Sequence, residues 1–442
     1  MTAMQTPGMQ RACRRYLEST PKSRQLSEEA RTALSGGVSR AGMPFLLYPV
    51  FIDHARDQYV FDVDGRQLLD LSNGHSALPL GHAAPDVIAA MHAQIEKGLG
   101  YAIMEPNEVA LARLIQQRVP SMERLRFTAA GSEATMFAIR GARAFTGRTL
   151  FARMEGSYHG MHDMMGCGPV FNLGQVQPGT DISMGLPRTL REQVIFLPFN
   201  DLEGCTKLIE SHAHELAAVI TEPMLGGGGA IPAEPGFLQG LRDVCTRCGV
   251  LLIFDEMITI GLAPGGGQEL YGVSPDMTTS GKLLGGGMPM GVFGGRADIM
   301  SLFEAKDGPP KVFHTGTWNG HPLAMTAGIA QLKLLTPAHF AKLGELGRHL
   351  REGAQAVAAR KHVTMQVTGL QQFSCFHYTS KPVRNYRDAL TNDFDLAKRV
   401  AFSLLSQGFY MAGGRSNLST ATTHQDIERF LEALSVAFDE AA

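Results

Sequence analysis

The sequence lacks the features that mark membrane, nucleic-acid-binding and disulfide-rich proteins. No run of about 18 uncharged apolar residues occurs, so no membrane span is expected. The 40 Lys and Arg residues nearly balance the 42 Asp and Glu residues, and the net charge of -2 gives no basic excess for nucleic acid. Six cysteines in 442 residues are too few for a disulfide framework, which favours a reducing cytoplasm. A hydrophobic share of 44% is typical of a globular protein rather than a disordered one.

The N-terminal segment and one pair of cysteines resemble functional motifs, but the residues around them favour plainer interpretations. The first 20 residues lack the apolar centre of a signal peptide; they faintly resemble an organelle presequence, although an amphipathic surface helix accounts for them better. Cys245 and Cys248 form a Cys-x-x-Cys pair, but no second pair or nearby histidine completes a metal site. The pair also precedes a strand, whereas a redox pair would follow one. We therefore expect two free thiols on a packed helix.

The middle of the chain alternates strand-like and helical segments. Residues 124–128 are typical of a strand, and residues 132–145 are typical of a helix that Gly147 ends. The apolar runs 216–223 and 250–256 contain acids at their ends, as buried parallel strands do, and a crossover helix lies between them. This order predicts an α/β fold with a mostly parallel sheet, whose chemistry lies at the carboxyl ends of the strands.

The two ends of the chain follow a different pattern. Residues 50–71 predict two or three antiparallel strands with a turn at Asp64. Residues 330–442 predict two long helical stretches around the strand-like sequence FSCFHYTS. We expect residues 1–75 and 330–442 to form one small α+β domain, beside a large domain made of residues 76–329.

Two strand ends carry residues that suggest chemistry. Gly131 and Ser132 open a helix directly after a strand, where free N–H groups and the helix dipole bind phosphate well. An ordinary N-cap by Ser132 explains this pattern equally well. Asp255 ends a very apolar strand, and a carboxylate there needs a cationic partner. That partner is either a protonated ring nitrogen of a ligand or an arginine of the protein.

Two loops complete the set. Lys282 lies among glycines, with room to form an imine with an aldehyde, whereas a solvated surface lysine is the plainer interpretation. Tyr158 and His159 form an aromatic pair that suits stacking on a flat ring or a buried hydrogen bond between the two side chains. Taken in chain order, the constellations describe a site for a phosphorylated aromatic aldehyde whose ring nitrogen stays protonated.

Five segments that contain these residues resemble class III pyridoxal-phosphate aminotransferases. They are most similar to glutamate-1-semialdehyde aminomutases and to the β-amino-acid transaminases related to them. The likeness extends over roughly residues 35–440, and the segment around Lys282 is highly specific. The segments are FTAAGSEATMFAIRGARAFTGR, EGSYHGMHD, ITEPMLGGGGAIPAEPGFLQGLRDVCTRCGVLLIFDEMIT, SPDMTTSGKLLGGGMPMGVFGGRADIM and HTGTWNGHPLAMTAG. The resemblance implies fold type I, with a seven-stranded, mostly parallel sheet in the large domain.

The resemblance also implies roles for individual residues. Lys282 matches the lysine that holds pyridoxal 5'-phosphate as an internal aldimine, and Asp255 matches the acid paired with the pyridinium nitrogen. Tyr158 matches the aromatic residue stacked on one face of the ring, and these three are the predicted catalytic residues. The other predicted cofactor residues are His159 beside Tyr158, Gly131 and Ser132 at the phosphate, Glu222 of the strand-end Glu-Pro pair, Met257 near the second ring face, and Thr317, which reaches the phosphate from the second subunit of a homodimer.

The chain departs from the family pattern at several positions. Ser132 stands where the family usually has threonine, and it keeps the hydroxyl. Met257 replaces a small β-branched residue and is longer and more adaptable. The aminomutases usually carry an arginine shortly after the strand of Asp255, where residues 259–263 read TIGLA, and a Gly-Asn pair where residues 226–229 are four glycines. These last two differences weigh against the aminomutase activity more than against the cofactor.

Two arginines are candidates for binding a substrate carboxylate, because the two-pronged guanidinium suits that group. Arg40 lies just before the predicted small-domain strands, where the similar β-transaminases place such an arginine. Arg415 follows Gly413 and Gly414, where related enzymes present an arginine that these glycines would allow to swing out. A surface salt bridge is the plainer alternative for each. The long Gly/Pro-rich segment 166–190 is either a lid or a surface loop.

The favoured function is an aminotransferase that moves an amino group from a β- or ω-amino acid, or an amine, to a 2-oxo acid. It would work by a ping-pong mechanism through the Lys282 aldimine. The alternative is an intramolecular transfer similar to that of glutamate-1-semialdehyde 2,1-aminomutase. A racemase or decarboxylase uses the same residues and stays open, while the intact Lys282 and Asp255 disfavour a binding protein without activity. We expect small-molecule donor and acceptor substrates and a homodimer, with no metal, nucleic acid or membrane partner.

Overall fold

The computed structural model describes residues 6–40, 46–168, 184–306 and 308–442. The helices of these residues are α1 (Pro7–Ser19), α2 (Pro21–Ala33), α3 (Asn73–Ser76), α4 (Pro85–Ile95), α5 (Pro106–Arg118), α6 (Gly131–Thr146), α7 (Arg188–Arg191), α8 (Leu202–Ser211), α9 (Phe237–Cys248), α10 (Gly266–Tyr271), α11 (Ala297–Met300), α12 (Pro322–Leu334), α13 (Pro337–Arg360), α14 (Tyr386–Ala389), α15 (Phe394–Ser406) and α16 (His424–Ala441). The strands are β1 (Ile52–Arg56), β2 (Tyr59–Asp62), β3 (Gln67–Asp70), β4 (Arg124–Thr128), β5 (Leu150–Met154), β6 (Val194–Leu197), β7 (Leu216–Thr221), β8 (Met224–Leu225), β9 (Ile231–Pro232), β10 (Leu251–Asp255), β11 (Met277–Gly281), β12 (Gly291–Gly295), β13 (Gln366–Thr368), β14 (Phe373–His377), β15 (Phe409–Tyr410) and β16 (Arg415–Asn417).

A seven-stranded sheet in the order β4-β12-β11-β10-β7-β5-β6 forms the centre of the protein. Its strand pairs are parallel except for the two that involve β12. The strands β7, β10 and β11 are buried along their whole length, because helices cover both faces of the sheet. The expected α/β architecture with a seven-stranded, mostly parallel sheet is therefore confirmed.

The local predictions for the middle of the chain agree closely with the structure. The predicted strand 124–128 is β4, and the predicted helix is α6, which ends at a left-handed Gly147 with a φ of 70°. Ala130 is the N-cap residue of α6, so the interpretation of Ser132 as an ordinary N-cap is wrong. The hairpin β8–β9, between β7 and α9, was not predicted. Each of its strands has two residues, too few to leave a periodic pattern.

The first three strands form the antiparallel meander expected for residues 50–71. Its predicted turn is present, with Gly65 at a φ of 89°. The strand β15 adds to this meander from the far end of the chain and runs parallel to β3, with Phe409 opposite Leu69. Three long helices, rather than the predicted two, follow residue 330, because the short strands β15 and β16 interrupt the second predicted stretch.

The core also joins the two ends of the chain. Leu69 and Leu71 pack in one apolar cluster with side chains of α13, α15 and α16. The amphipathic helix expected at the N-terminus is α1, whose Met9 and Tyr16 are fully buried in a cluster with residues of α15. The division into a small domain from both chain ends and a large central domain stays a prediction, and this packing supports it.

Cys245 and Cys248 are free thiols on the helix α9, as predicted. No group of three potential metal ligands occurs within the described ranges. Among the helices of the described residues, none combines the length and apolar character needed to cross a bilayer. Most of the predicted lid or surface loop, residues 169–183 of 166–190, lies outside the described residues.

Candidate active site

Three neighbouring strands bring Glu222, Asp255 and Lys282 to one edge of the large sheet. Glu222 directly follows β7, Asp255 ends β10, and Lys282 directly follows β11. Because β10 lies between β7 and β11 and runs parallel to both, their carboxyl ends meet. The burial of Glu222, followed by the nearby charge of Asp255, raises the pKa of Glu222 to about 7. The sheet therefore collects two acids and one amine that are far apart in the sequence.

Lys282 is half-buried at this edge. Its backbone has a φ of 45°, the left-handed region, where it begins the single 3₁₀ turn Lys282–Gly285. Burial lowers the pKa of Lys282 to about 8, although the charges of Glu222 and Asp255 act in the opposite direction. An amine with such a pKa is partly neutral near pH 7, so it is able to act as a nucleophile or base. Lys282 is thus not the solvated surface lysine of the plainer interpretation.

Asp255 is 1% exposed and has an incomplete set of partners. Its Oδ2 lies 2.7 Å from Nδ1 of His159, and its Oδ1 accepts the N–H of Met257 at 3.1 Å. No arginine lies at ion-pair distance from Asp255 within the described ranges, so the alternative of a protein salt bridge is wrong. A carboxylate accepts about four hydrogen bonds, and Asp255 therefore retains acceptor capacity for a cation in the site.

The loop after β5 carries Tyr158 and His159 to the same edge. The N–H of Tyr158 donates to Oε1 of Glu222 at 3.1 Å, and 38% of the Tyr158 surface is exposed. His159 is 1% exposed and bonds to Asp255, so the alternative of a Tyr–His hydrogen bond is wrong. Burial lowers the pKa of His159, although Asp255 raises it. Because a carboxylate only accepts hydrogen bonds, Nδ1 of His159 is the donor in its contact with Asp255.

The first turn of α6 lies beside this loop. Oγ of Ser132 accepts the N–H of Met161 at 3.1 Å, so the hydroxyl joins the helix to the Tyr158 loop. A Cβ atom at Gly131 would approach Sδ of Met257 to 2.7 Å, so a larger residue there would require the Met257 side chain to move. The first N–H groups of a helix have no partner inside it and attract anions. The predicted phosphate residues therefore present donors next to Met257.

Arg415 enters the site from β16, after two left-handed glycines. Gly413 and Gly414 have φ angles of 59° and 76°. Nη1 of Arg415 lies 3.4 Å from the carbonyl oxygens of Gly226 and Gly227. No carboxylate is at ion-pair distance from Arg415 in the part of the chain that the structure describes, so it does not form the alternative surface salt bridge. Burial lowers the pKa of Arg415, which shows how poorly its charge is solvated.

His75 is a site residue that sequence reasoning missed. It lies in α3, where residues 73–76 all have positive φ angles between 44° and 76°. This left-handed turn packs against β16 and against the 3₁₀ turn that starts at Lys282. Left-handed backbone costs roughly 1–2 kcal/mol per non-glycine residue, so the packing must maintain it. The one signal in the sequence is the pair Asn73-Gly74, two residues that adopt this conformation most readily.

The two predicted arginines both affect the pKa of His75. After burial, the positive charges of Lys282, Arg415 and Arg40 lower the pKa of His75 to about 4. Arg40 is an exposed residue, and the same two arginines also act on Tyr410. The charges of Arg40 and Arg415 therefore both act on His75 and on Tyr410.

Thr317 lies in a separate, exposed part of the surface. Within the described residues no hydrogen bond joins it to the other predicted site residues. Its neighbours Trp318 and Phe313 are 57% and 69% exposed, and Ile103 is 77% exposed. A Cβ atom at Gly100 would lie 3.7 Å from the Trp318 ring, so the segments around residues 100 and 318 adjoin. We call this exposed area, formed by Ile103, Met104, Phe313 and Trp318, the apolar face.

Known proteins resemble this chain over almost its whole length. The family model described as Aminotransferase class-III matches residues 42–441. A glutamate-1-semialdehyde 2,1-aminomutase of Akkermansia muciniphila is 38% identical over 429 residues, which cover 94% of this chain and 98% of that protein. The crystal structure of an omega-transaminase from Sphaerobacter thermophilus is 38% identical, with a TM-score of 0.90 and coverage of 95% of this chain and 97% of that one. A β-phenylalanine aminotransferase from Variovorax paradoxus is 35% identical, with a TM-score of 0.87 and coverage of 97% and 96%.

Proposed function

The chain belongs to the class-III aminotransferase family, and from this premise we propose that it moves the amino group of a β- or ω-amino acid to a 2-oxo acid. The protein is a pyridoxal-phosphate-dependent transaminase of fold type I.

The residues at the strand ends fit the cofactor. Asp255 offers a buried carboxylate with free acceptor capacity, and Lys282 offers an amine with a pKa of about 8. The first turn of α6 offers N–H donors for the phosphate, beside the hydroxyl of Ser132. When bound, pyridoxal phosphate supplies an aldehyde that condenses with amines and a ring that accepts the electron pair left when a neighbouring carbon loses its proton.

The residues around the cofactor then have distinct tasks. Neutral Lys282 takes the proton from the substrate carbon that bears nitrogen and later returns it. Asp255 keeps its negative charge opposite the ring nitrogen, so that this nitrogen stays protonated. Tyr158 and Met257, which lies beside Gly131, would hold the two faces of the ring.

The environment of Arg415 is the main support for a substrate that carries a carboxylate. Its guanidinium contacts two backbone carbonyls at 3.4 Å and is without a carboxylate partner in the described residues. The charge of Arg40, like that of Arg415, acts on His75, and such cations favour a substrate carboxylate. Two transaminases that are 38% and 35% identical, one an omega-transaminase and one active on β-phenylalanine by its name, support a β- or ω-amino acid.

A panel of amino donors tests this function. Purified holoenzyme is mixed with α-, β- and ω-amino acids, each with pyruvate or 2-oxoglutarate, and the keto product is measured. We expect kcat/KM for a β- or ω-amino donor to exceed that for every α-amino donor by at least about tenfold, a difference of roughly 1.4 kcal/mol. A preference for α-amino donors would overturn the proposal.

The second candidate is an aminomutase similar to the relative from Akkermansia muciniphila. The identity of 38% over 94% of this chain favours it. The absence of an arginine in residues 259–263 and the four glycines at 226–229 weigh against it. The two functions differ in one requirement, because an aminomutase converts glutamate-1-semialdehyde without a second carbonyl substrate. Incubation of the holoenzyme with that substrate alone therefore separates them.

The two arginines are expected to act only on substrates with a carboxylate. For Arg40→Ala and Arg415→Ala we expect kcat/KM for a β-amino acid to fall roughly 10- to 100-fold, since a hydrogen bond to a charged group contributes about 1.5–3 kcal/mol. The same variants should convert a primary amine without a carboxylate at nearly the wild-type rate. Arg348→Ala is the control, because Arg348 is an exposed residue paired with Glu352 on α13. An equal loss with amine and amino acid, or no loss, would remove both arginines from substrate recognition.

We also propose that the enzyme is a homodimer in which the apolar face is covered by a second copy. Large exposed apolar patches on a protein mark interfaces. Thr317 lies beside this face, and the family resemblance assigns it to the phosphate of the partner subunit. A dimer of this kind would place a residue of each copy in the site of the other.

Disrupting the apolar face is therefore expected to separate the subunits and remove activity together. Ile103→Asp places a charge at a position that is 77% exposed in the single chain, so the monomer should still fold. Sedimentation velocity should then show a monomer, and its specific activity should fall at least about tenfold. The exchange Val436→Asp, also at an exposed apolar position, is the matched control. A fully active monomer would contradict the shared site.

A further inference from the structure

Arg153 is the largest side chain that is completely buried in the described residues. It lies on β5, next to the strand of Glu222 in the sheet. Burying a full charge is costly unless the charge is paired or hydrogen-bonded throughout. No carboxylate lies at ion-pair distance from Arg153 in the described part of the chain. A buried guanidinium without an ion-pair partner calls for an explanation beyond core packing.

The N–H groups of the Arg153 guanidinium donate hydrogen bonds to the loop that follows β5. Nη1 of Arg153 donates to the carbonyl of Met165 at 2.9 Å, and Nε donates to Oγ of Ser157 at 3.2 Å. Nη2 donates to the carbonyl of Ser157. The planar fork of arginine allows one side chain to hold two separate points of backbone in this way.

These two points enclose the part of the loop that enters the active site. Ser157 immediately precedes Tyr158 and His159, and Met165 lies six residues beyond His159. Between them, the carbonyl of His159 accepts a hydrogen bond from Oγ1 of Thr135 at 2.6 Å. Arg153 therefore anchors both ends of the loop, while α6 holds its middle.

We propose that Arg153 is a positioning residue that sets both the place and the charge of the His159–Asp255 pair. Its hydrogen bonds fix the loop so that His159 reaches Asp255. Its positive charge adds to burial in favouring the neutral His159 ring, so that the negative charge of Asp255 remains available to the group in the site. The inference rests on the proposed role of Asp255 toward the pyridinium nitrogen.

The charged and titratable groups around His159 give the sign of this effect. Asp255 faces it from β10, Arg153 from β5, and His162 from the same loop. Glu222 and Lys282 lie near Asp255 at the neighbouring strand ends, where the charge of Asp255 raises the pKa of each. Burial lowers the pKa of His159 most, Asp255 raises it, and Arg153 lowers it again. Removing the guanidinium charge therefore favours an imidazolium, which would pair with Asp255 and cancel its charge.

The test measures the protonation of His159 itself. Holoenzyme with ¹³C-labelled histidine rings is titrated by NMR, and the His159 signal is assigned by its absence in His159→Asn. In the wild type the His159 ring should stay neutral from pH 8 to pH 6. In Arg153→Gln the pKa of His159 should rise by about one or more, as expected for the loss of a nearby like charge. The apparent pKa of the acid limb of kcat/KM should rise by the same amount. Arg153→Lys keeps the charge but not the two-point contact with the loop, so it should restore both pKa values while kcat stays below that of the wild type.

A matched arginine separates this effect from damage to the fold. Arg118 also donates to two backbone carbonyls, those of Leu332 and Leu335, but it lies on α5. Arg118→Gln should lower stability without moving the pKa of His159. The proposal is overturned if wild-type His159 is protonated at pH 7, a measurement that requires no variant. It is also overturned if His159 titrates alike in Arg153→Gln and Arg118→Gln. Failure of the amino-donor panel would leave these titrations unchanged, so the two proposals fail separately.

Discussion

Replacing Lys282 with alanine is expected to abolish turnover and the covalent attachment of pyridoxal phosphate. Lys282 is the amine that Glu222 and Asp255 surround at the strand ends, with a pKa of about 8. Its loss removes both the attachment point and the base that moves the substrate proton. A positioned acid or base alone contributes roughly 10² to 10⁴ in rate, so we expect kcat to fall by at least about 10⁴-fold.

Borohydride reduction followed by mass spectrometry checks the attachment directly. The wild type should yield a phosphopyridoxyl group on the peptide that contains Lys282, and Lys282→Ala should yield none. Lys282→Arg is the control for charge, because arginine keeps a cation between the two acids but does not lose its proton in proteins. It should be as inactive as the alanine variant. An adduct on any other lysine would refute the assignment.

Replacing Asp255 with alanine or asparagine is expected to lower kcat by at least about 10²-fold. The carboxylate is 1% exposed and is fixed by His159 and by the N–H of Met257, so its charge is preorganised. Removing one preorganised electrostatic partner typically costs about 10²- to 10³-fold in rate. Asparagine nearly preserves the shape of the side chain, so a loss of similar size in both variants would assign the effect to charge.

Glu256 provides the matched control for Asp255. It is the next residue, it is fully buried, and its carboxylate accepts the N–H groups of Gly267 and Gln268 at the start of α10. Glu256→Gln should lower the free energy of unfolding but leave the cofactor spectrum and its response to donor intact. A near wild-type rate in Asp255→Asn, or a larger loss in Glu256→Gln, would remove Asp255 from the chemistry.

The central fold could be predicted because its signals are local. The strands β7 and β10 are short apolar runs, and the helix α6 ends where Gly147 adopts positive φ. The hairpin β8–β9 was not predictable, because each of its strands has only two residues. The apolar residues 409–412 do suggest a strand before Arg415, but hydrophobic periodicity does not report that the partner of β15 is β3, far away in the sequence.

The site residues also fall into two groups, those that local sequence predicts and those that depend on tertiary contacts. The chemistry of Lys282 and Asp255 could be predicted because each lies in a local motif, a glycine-rich loop for Lys282 and the end of an apolar strand for Asp255, and because both motifs occur in the order of the family pattern. The contact of Asp255 with His159 is invisible in the sequence, since 96 positions separate the two residues. The left-handed turn of His75 and the buried anchor Arg153 likewise depend on tertiary packing that overrides local preference.

The parallel pairing of β3 with β15 has a consequence for the synthesis of this protein. Leu69 and its strand partner Phe409 are roughly 340 residues apart in the sequence. Ribosomes add about 5–20 residues per second, so the β1–β3 meander waits roughly 17–70 s for the strand that completes its sheet. During this interval the edge of β3 presents unpaired backbone groups, which are a template for association with other chains. The β3 edge of a nascent chain therefore stays open to such association until Phe409 and Tyr410 have been synthesised and have left the ribosome.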